Sequence, residues 1–124
     1  MRSVTVTIRY PGSVISCNHY KYKGGIYTKP EAKAFMDELG WLLKTSHIEG
    51  WNLPISVTCS GKFKDKRSQP DLHNLLKVIC DSIEDVTGIN DKYYHTSTGE
   101  SIIDKTKEPT LFITIEEVAE GNLI

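Results

Sequence analysis

The sequence predicts an α/β (α+β) fold, with one domain over residues 1–124, the element order β-α-β-α-β-β and helices packed on a mixed sheet. Segments in which apolar and polar residues alternate are typical of half-buried strands. Segments in which apolar residues recur at three- and four-residue steps are typical of amphipathic helices. Both kinds of segment follow one another along 124 residues, a length that is sufficient for one hydrophobic core.

The N-terminal half contains one strand, one long connection and one helix. Val4, Val6 and Ile8 alternate with threonines and predict the first strand. Residues 13–29 show no period and are predicted to form a long irregular connection, a kind of segment that is often functional. Pro30–Thr45 is predicted as a helix, because it begins with a proline and then carries one apolar face.

Predicted strands and a helix also follow one another in the C-terminal half. Residues 55–63, ISVTCSGKF, predict the second strand, and residues 71–86 predict the second helix. Thr98-Gly99 is predicted as a hairpin turn between two short strands. The β-branched segment LFITIEEV at residues 111–118 predicts the last strand.

Composition excludes several classes of protein. No apolar run approaches the roughly 20 residues that span a bilayer, and the alternating N-terminus has no signal-peptide core, so a cytoplasmic location is expected. Cys17, Cys59 and Cys80 are far apart and form no C-x-x-C pair, which favours neither a disulfide framework nor a structural zinc site. The formal net charge is -1, so a nucleic-acid partner has to be recognised by local basic clusters.

Two such clusters are present. The tighter one, in KFKDKR, consists of Lys62, Lys64, Lys66 and Arg67 and directly precedes the second predicted helix. The other cluster lies in the first third of the chain, among tyrosines, and consists of Arg9, Lys21, Lys23, Lys29 and Lys33. Charge runs are also typical of a solvated face, so the pattern leaves both interpretations open.

The aromatic residues form two groups. Phe35, Trp41 and Phe112 lie in the predicted helix and strand segments and are predicted to be core residues. The tyrosines of the connection 13–29 can stack on bases or sugars of a nucleic acid, but their positions follow no period that would assign them this role.

The segment QPDLHNLLKVICDSIEDVTGIND, residues 69–91, concentrates polar residues around the second predicted helix, for which Gly88 is the expected C-terminal cap. A helical wheel divides the side chains into two opposite faces. The apolar face contains Leu72, Leu75, Leu76, Ile79, Ile83 and Val86. The polar face contains His73, Asn74, Lys77, Asp81 and Glu84.

Two interpretations of this segment remain open on the pattern alone. In the structural interpretation, Asp71 caps the helix, Lys77 and Asp81 form an exposed ion pair, and Asp91 lies in a turn. In the functional interpretation, the acidic residues belong to a metal site.

The motif P-D-L-x-N-L-x-K, followed by a helix and then by an acid in G-x-x-D, resembles the RusA family of Holliday junction resolvases. The matching residues are Asp71, Leu72, Asn74, Leu75, Lys77, Asp81 and Asp91. The resemblance implies a homodimer that hydrolyses phosphodiester bonds in four-way DNA junctions, in DNA recombination and repair, with Mg²⁺ or Mn²⁺ as its cofactor. It further implies that Asp71, Lys77 and Asp91 are catalytic, with Asp71 and Asp91 as metal ligands.

The sequence departs from the family pattern inside this motif. His73 stands where the family commonly has a second acid, and Asn90 stands where it has the first acid of a D-D pair. We predict that His73 is a third metal ligand, because it occupies the position of that acid and a neutral imidazole can bind a metal, although it suits Mn²⁺ better than Mg²⁺. A phosphate contact or a general base is an alternative role for this histidine. The predicted DNA contacts are Lys62, Lys64, Lys66, Arg67 and Asn74.

Three hypotheses follow. The first is a metal-dependent endodeoxyribonuclease that resolves Holliday junctions. The second is a branched-DNA binding protein of the same fold, with chemistry that His73 weakens. The third is an unrelated α/β interaction domain, in which the motif is only a capped helix.

Overall fold

The computed structural model describes residues 2–17, 20–22, 27–48 and 50–118. The elements are β1 (Ser3–Arg9), α1 (Pro30–Thr45), β2 (Ile55–Phe63), α2 (Leu76–Thr87), β3 (Tyr94–Ile103) and β4 (Thr110–Glu117). Three 3-10 turns lie at Ser13–Ile15, Leu72–Leu75 and Asp91–Tyr93. The order β-α-β-α-β-β confirms the predicted fold class. None of the helices in the described part of the chain is both long and apolar enough to cross a membrane.

The four strands form one mixed sheet in the order β1-β4-β2-β3. β4 pairs antiparallel with both β1 and β2, whereas β3 pairs parallel with β2. Parallel neighbours cannot be joined by a tight turn and need a crossover connection. The segment that contains α2 is this connection, which places α2 beside the strands that precede and follow it.

The hydrophobic core lies between one face of the sheet and the two helices. Ile55, Val57 and Cys59 alternate along β2 and are fully buried, and they share one cluster with Leu39 of α1 and Ile79 of α2. The side chains of opposite parity on β2 are only partly buried: Ser56, Thr58, Ser60 and Lys62. The sheet therefore has one covered apolar face and one open polar face.

The helix α1 has the predicted bounds, but one of its predicted core residues is wrong. Phe35 and Leu39 are buried, as predicted, whereas the side chain of Trp41 is 67% exposed. At about 100° per residue, Trp41 lies about 200° around the helix from Leu39, which turns it away from the sheet. The prediction for Phe112 is also wrong, because this ring is only partly buried, on the open face beneath Lys62.

The predicted hairpin turn at Thr98-Gly99 is wrong, since β3 runs through both residues without interruption. The pairing of β2 with β3 shifts in register between Cys59 and Gly61, so Gly99 marks an irregularity within a strand. A Cβ on Gly99 would lie 3.1 Å from the Cβ of Ser60. Glycine at this position permits the close approach of the two strands.

Candidate active site

The polar face of the second predicted helix is built on two continuous elements. The 3-10 turn Leu72–Leu75 has Asp71 as its N-terminal cap and leads directly into α2. We call this turn together with α2, residues 72–87, the central helix. It ends at Gly88, whose φ of 73° is the left-handed conformation predicted for its C-terminal cap. The prediction of one α-helix from residue 71 missed that its first turn is a 3-10 turn.

Asp71 has the capping role that its position predicts. Its Oδ1 accepts a hydrogen bond from the backbone amide of His73 at 3.0 Å. The cap satisfies an amide of the first turn that has no partner within the helix. The side chain is exposed, so the same carboxylate is accessible to solvent and to a ligand.

A cleft of about 630 Å³ opens beside Asp71. Four segments line it: residues 10–16 after β1, residues 67–70 after β2, the start of the central helix with its cap Asp71, and Pro109 just before β4. The polar residues that line it are Ser13, Ser16, Arg67, Ser68, Gln69, Asp71 and Asn74. Two of the predicted DNA contacts, Arg67 and Asn74, therefore lie in the same cleft as the first predicted metal ligand.

One turn further along the central helix, Lys77 and Asp81 form the predicted ion pair. The Nζ of Lys77 donates to Oδ1 of Asp81 at 3.3 Å. The hydrogen bond and the charge of Asp81 raise the pKa of Lys77, and the charge of Asp91 raises it further. Lys77 is therefore protonated at neutral pH, and it lies within electrostatic range of both carboxylates.

Asp91 lies in the predicted turn, just before β3. Its backbone amide donates to Oε1 of Glu84 at 3.0 Å, which ties the turn to the central helix. The side chain of Asn90 caps the turn by accepting a hydrogen bond from the amide of Lys92. Glu84 and Lys77 are seven residues apart on the same face of the helix, so this bond holds the turn of Asp91 beside the face that carries Lys77, and both side chains are exposed.

The predicted metal ligands do not form a closed site within one chain. Among the residues that the structure describes, no three or more His, Cys, Asp or Glu side chains are grouped so that they could hold a metal ion. Asp71, His73 and Asp91 are all exposed. Mg²⁺ is commonly held by one or two carboxylates, with waters and substrate phosphates as its other ligands. The two carboxylates therefore fit a hard divalent cation that water and DNA help to coordinate, whereas the imidazole of His73 favours Mn²⁺ over Mg²⁺, and the individual ligands stay predictions.

The basic residues of KFKDKR have different surroundings. Lys62 lies on the open face of the sheet, with its Nζ 6.0 Å from the centroid of the Phe112 ring. Arg67 lines the cleft beside Asp71. Lys64 and Lys66 are exposed between them, where the carboxylate of Asp65 accepts hydrogen bonds from Ser68. The structure thus places Arg67, but not Lys62, in the cleft.

Tyr20 is a site residue that the sequence analysis did not identify. Its ring is 3% exposed, and its hydroxyl donates to Oδ2 of Asp81 at 2.8 Å. Burial and the neighbouring carboxylate of Asp81 raise the pKa of this phenol. The connection 13–29 holds three tyrosines without a period, so no pattern distinguished Tyr20. Lys23, a member of the basic cluster predicted in this connection, lies outside the described residues.

The chain matches a family model that is described as endodeoxyribonuclease RusA, over residues 14–116. The matched region contains both helices, β2, β3 and the predicted site residues Asp71, His73, Lys77 and Asp91. No curated protein matches the chain.

Proposed function

The chain belongs to the endodeoxyribonuclease RusA family, and on this basis we propose that it is a metal-dependent nuclease that resolves Holliday junctions. It acts in the cytoplasm, in DNA recombination and repair. Its substrate is the four-way DNA junction, and its reaction is hydrolysis of one phosphodiester bond in each of two symmetry-related strands.

The observation that carries this proposal is the single surface that Lys77 and Asp91 share. The backbone amide of Asp91 is hydrogen-bonded to Glu84, which lies two turns from Lys77 on the polar face of the central helix, and both Asp91 and Lys77 are exposed. The cleft that contains Asp71 and Arg67 opens at the start of the same helix. Metal-assisted hydrolysis of a phosphodiester uses carboxylates that bind a metal ion and positively charged side chains that bind the phosphate.

The proposed roles follow from the chemistry of each group. Asp71 and Asp91, with His73 as a third ligand, would hold Mg²⁺ or Mn²⁺, which when bound would supply an activated water and positive charge beside the phosphate. Lys77 places a compact positive charge where negative charge develops on the phosphate oxygens. Arg67 and Asn74 position the DNA strand in the cleft by contacts to its backbone. Lys64 and Lys66 extend this basic path.

We further propose that the active form is a homodimer. A four-way junction has two strands related by a twofold axis, and a dimer with twofold symmetry presents one active site to each. Sedimentation of the pure protein tests this proposal, because a monomer at the concentrations that support cleavage would contradict it.

The experiment that tests the proposed activity uses a labelled synthetic four-way junction and a linear duplex that contains one of the same strands. Each DNA is incubated with the protein in Mg²⁺, in Mn²⁺ or in EDTA. We expect paired nicks in the junction with either metal, no cleavage in EDTA and little cleavage of the duplex. Junction that is bound but intact in both metals would indicate a branched-DNA binding protein, and absence of binding would contradict a role on DNA.

A further inference from the structure

We propose that Tyr20 and Asp81 are positioning residues for Lys77, and that the connection between β1 and α1 acts on the active site through them. This inference rests on the proposed function, in which Lys77 is the catalytic lysine. The pathway runs from the buried phenol of Tyr20, through the carboxylate of Asp81, to the ammonium group of Lys77.

The two oxygens of Asp81 have separate partners. The hydroxyl of Tyr20 donates to Oδ2 at 2.8 Å, and Lys77 donates to Oδ1 at 3.3 Å. The first bond fixes the plane of the carboxylate, so that its second oxygen faces Lys77. A lysine ammonium has three donors, so one bond to Asp81 leaves the others for a phosphate.

Tyr20 is well placed for this role because its own position is fixed. Its amide donates to the carbonyl of Ser16 at 3.1 Å, and its carbonyl accepts from the amide of Lys29 at 2.8 Å. Its ring is almost fully buried. A rigid phenol can orient a carboxylate without a further cost in side-chain entropy.

The same connection contacts the central helix on both sides of Lys77. The amide of Cys17 donates to the carbonyl of Asn74 at 2.8 Å, and Tyr20 reaches Asp81. Asn74 and Asp81 are about 10 Å apart along the helix axis, and Lys77 lies between them. The connection therefore holds the turn from which Lys77 projects.

A second lysine-aspartate pair with the same spacing serves as a comparison for the pair of Lys77 and Asp81. Lys33 and Asp37 form an ion pair on α1, and the Asp37 side chain is 62% exposed, whereas that of Asp81 is 23% exposed. Exposed pairs of this kind contribute little order or stability. The N–O distance is shorter in the exposed pair, 2.5 Å against 3.3 Å, so Asp81 is distinguished by its lower exposure and by the phenol that donates to its other oxygen.

The first test is cleavage of the four-way junction by Tyr20→Phe and Asp81→Asn, with Asp37→Asn as the matched control. We expect kcat to fall about tenfold for Asp81→Asn and about threefold for Tyr20→Phe, with KM nearly unchanged, because only the placement of Lys77 is altered. Asp37→Asn is expected to keep the parental kcat. Asp81→Glu, which retains a carboxylate, is expected to recover part of the lost rate.

A double-mutant cycle separates positioning from a merely structural role. If Tyr20 and Asp81 act through Lys77, their substitutions have no further effect on kcat in a Lys77→Ala background. If instead Tyr20→Phe or Asp81→Asn lowers kcat by the same factor in the Lys77→Ala background as in the parent, the proposal is overturned. Urea unfolding of each variant shows whether any loss of rate is a loss of folded protein.

A second measurement is independent of cleavage. The rate at which a succinimidyl ester acylates Lys77, measured by mass spectrometry of the peptide, is compared with that of Lys33 in the same sample. Because a carboxylate partner keeps an amine protonated and unreactive, we expect Asp81→Asn to increase the Lys77 rate about threefold relative to Lys33, and Tyr20→Phe to increase it less. If the ratio of the Lys77 rate to the Lys33 rate is unchanged in both variants, the inference is overturned, even if the parent protein cleaves junctions. If the parent protein does not cleave junctions, only the proposed function is overturned.

Discussion

The Oδ1 atom of Asp71 accepts a hydrogen bond from the backbone amide of His73 at 3.0 Å. One carboxylate thus starts the central helix and lies exposed at the mouth of the cleft where we propose metal binding. A helix cap and a metal ligand make different demands on this side chain. An N-cap needs one acceptor oxygen, which Asn supplies as well as Asp does, whereas a hard cation is bound more strongly by a charged carboxylate oxygen than by a neutral amide oxygen.

Substitutions of Asp71 are therefore expected to separate the two roles. Asp71→Asn retains the cap, so its free energy of unfolding stays close to that of the parent, but it abolishes cleavage. Asp71→Ala loses the cap as well and is expected to be less stable by about 1 kcal/mol. Junction binding is expected to be retained or stronger in both, because a negative charge near the phosphates is removed. Parental cleavage by Asp71→Asn would remove this residue from the proposed site.

The histidine at position 73 is expected to determine the metal preference. His73→Asp creates a site with oxygen ligands only and is expected to raise the cleavage rate in Mg²⁺ relative to Mn²⁺. His73→Ala is expected to cost less activity than Asp71→Asn, because water can replace a lost protein ligand. Both variants are expected to be within about 0.5 kcal/mol of the parent in stability, since the residue is exposed. The same Mg²⁺ to Mn²⁺ rate ratio in all three proteins would show that His73 does not contact the metal.

The two ends of KFKDKR are expected to contribute differently to DNA binding. Arg67 lies in the cleft, so Arg67→Ala is expected to flatten the slope of log affinity against log salt by about 0.9 for each phosphate contact that is lost. Lys62 lies over Phe112 on the open face of the sheet, so Lys62→Ala is the matched control and is expected to keep the parental slope. Fluorescence anisotropy of a labelled junction over a range of salt measures both. A larger change for Lys62→Ala would place the DNA on the open face.

Glu117 offers a prediction of pH dependence that does not involve the active site. This buried carboxylate accepts hydrogen bonds from the amide and guanidinium of Arg2, at 2.7 and 2.9 Å, and from the amide of Asn52 at 2.6 Å. These bonds, above all those from Arg2, lower the pKa of Glu117 from 4.5 to about 2. Between these two values the unfolded chain binds more protons than the folded one, so the contribution of Glu117 to stability is lost as the pH falls.

Glu117→Gln is therefore expected to be less stable than the parent above pH 4.5, and this difference is expected to shrink as the pH approaches 2. Urea unfolding of both proteins across this range measures the difference. Glu116→Gln is the control, because Glu116 is exposed on the same strand. A difference between Glu117→Gln and the parent that does not change with pH would contradict the role of the ionised carboxylate.

The periodic parts of the fold were predictable from the sequence. The bounds of α1, the capping of the central helix by Asp71 and Gly88, and the order of the elements follow from apolar period and cap chemistry, which are local properties. Gly99 was misread because glycine is as typical of an irregular strand pairing as of a turn. Its partner, Ser60, is distant in sequence, and no local pattern identifies such a contact.

The residue types of the candidate site were predictable from the sequence, but the contacts between distant segments were not. The spacing of Lys77 and Asp81 predicted their ion pair, since four residues span one helical turn. The hydrogen bond from Tyr20 to Asp81 depends on how the connection 13–29, which has no periodicity, packs on the central helix. The different surroundings of Lys62 and Arg67 depend on where β2 ends. Both are tertiary features, which the pattern of residues along the chain does not contain.

The central claim is that the surface shared by Lys77 and Asp91 is the active site of a metal-dependent nuclease. Its most direct test is cleavage of a four-way junction by the variant Asp91→Asn. The substitution removes one exposed carboxylate, whereas the backbone amide that ties the turn to Glu84 is retained. With Mg²⁺ and saturating protein, we predict that Asp91→Asn binds the junction at least as tightly as the parent and produces no nicks. Paired nicks at the parental rate would contradict the account.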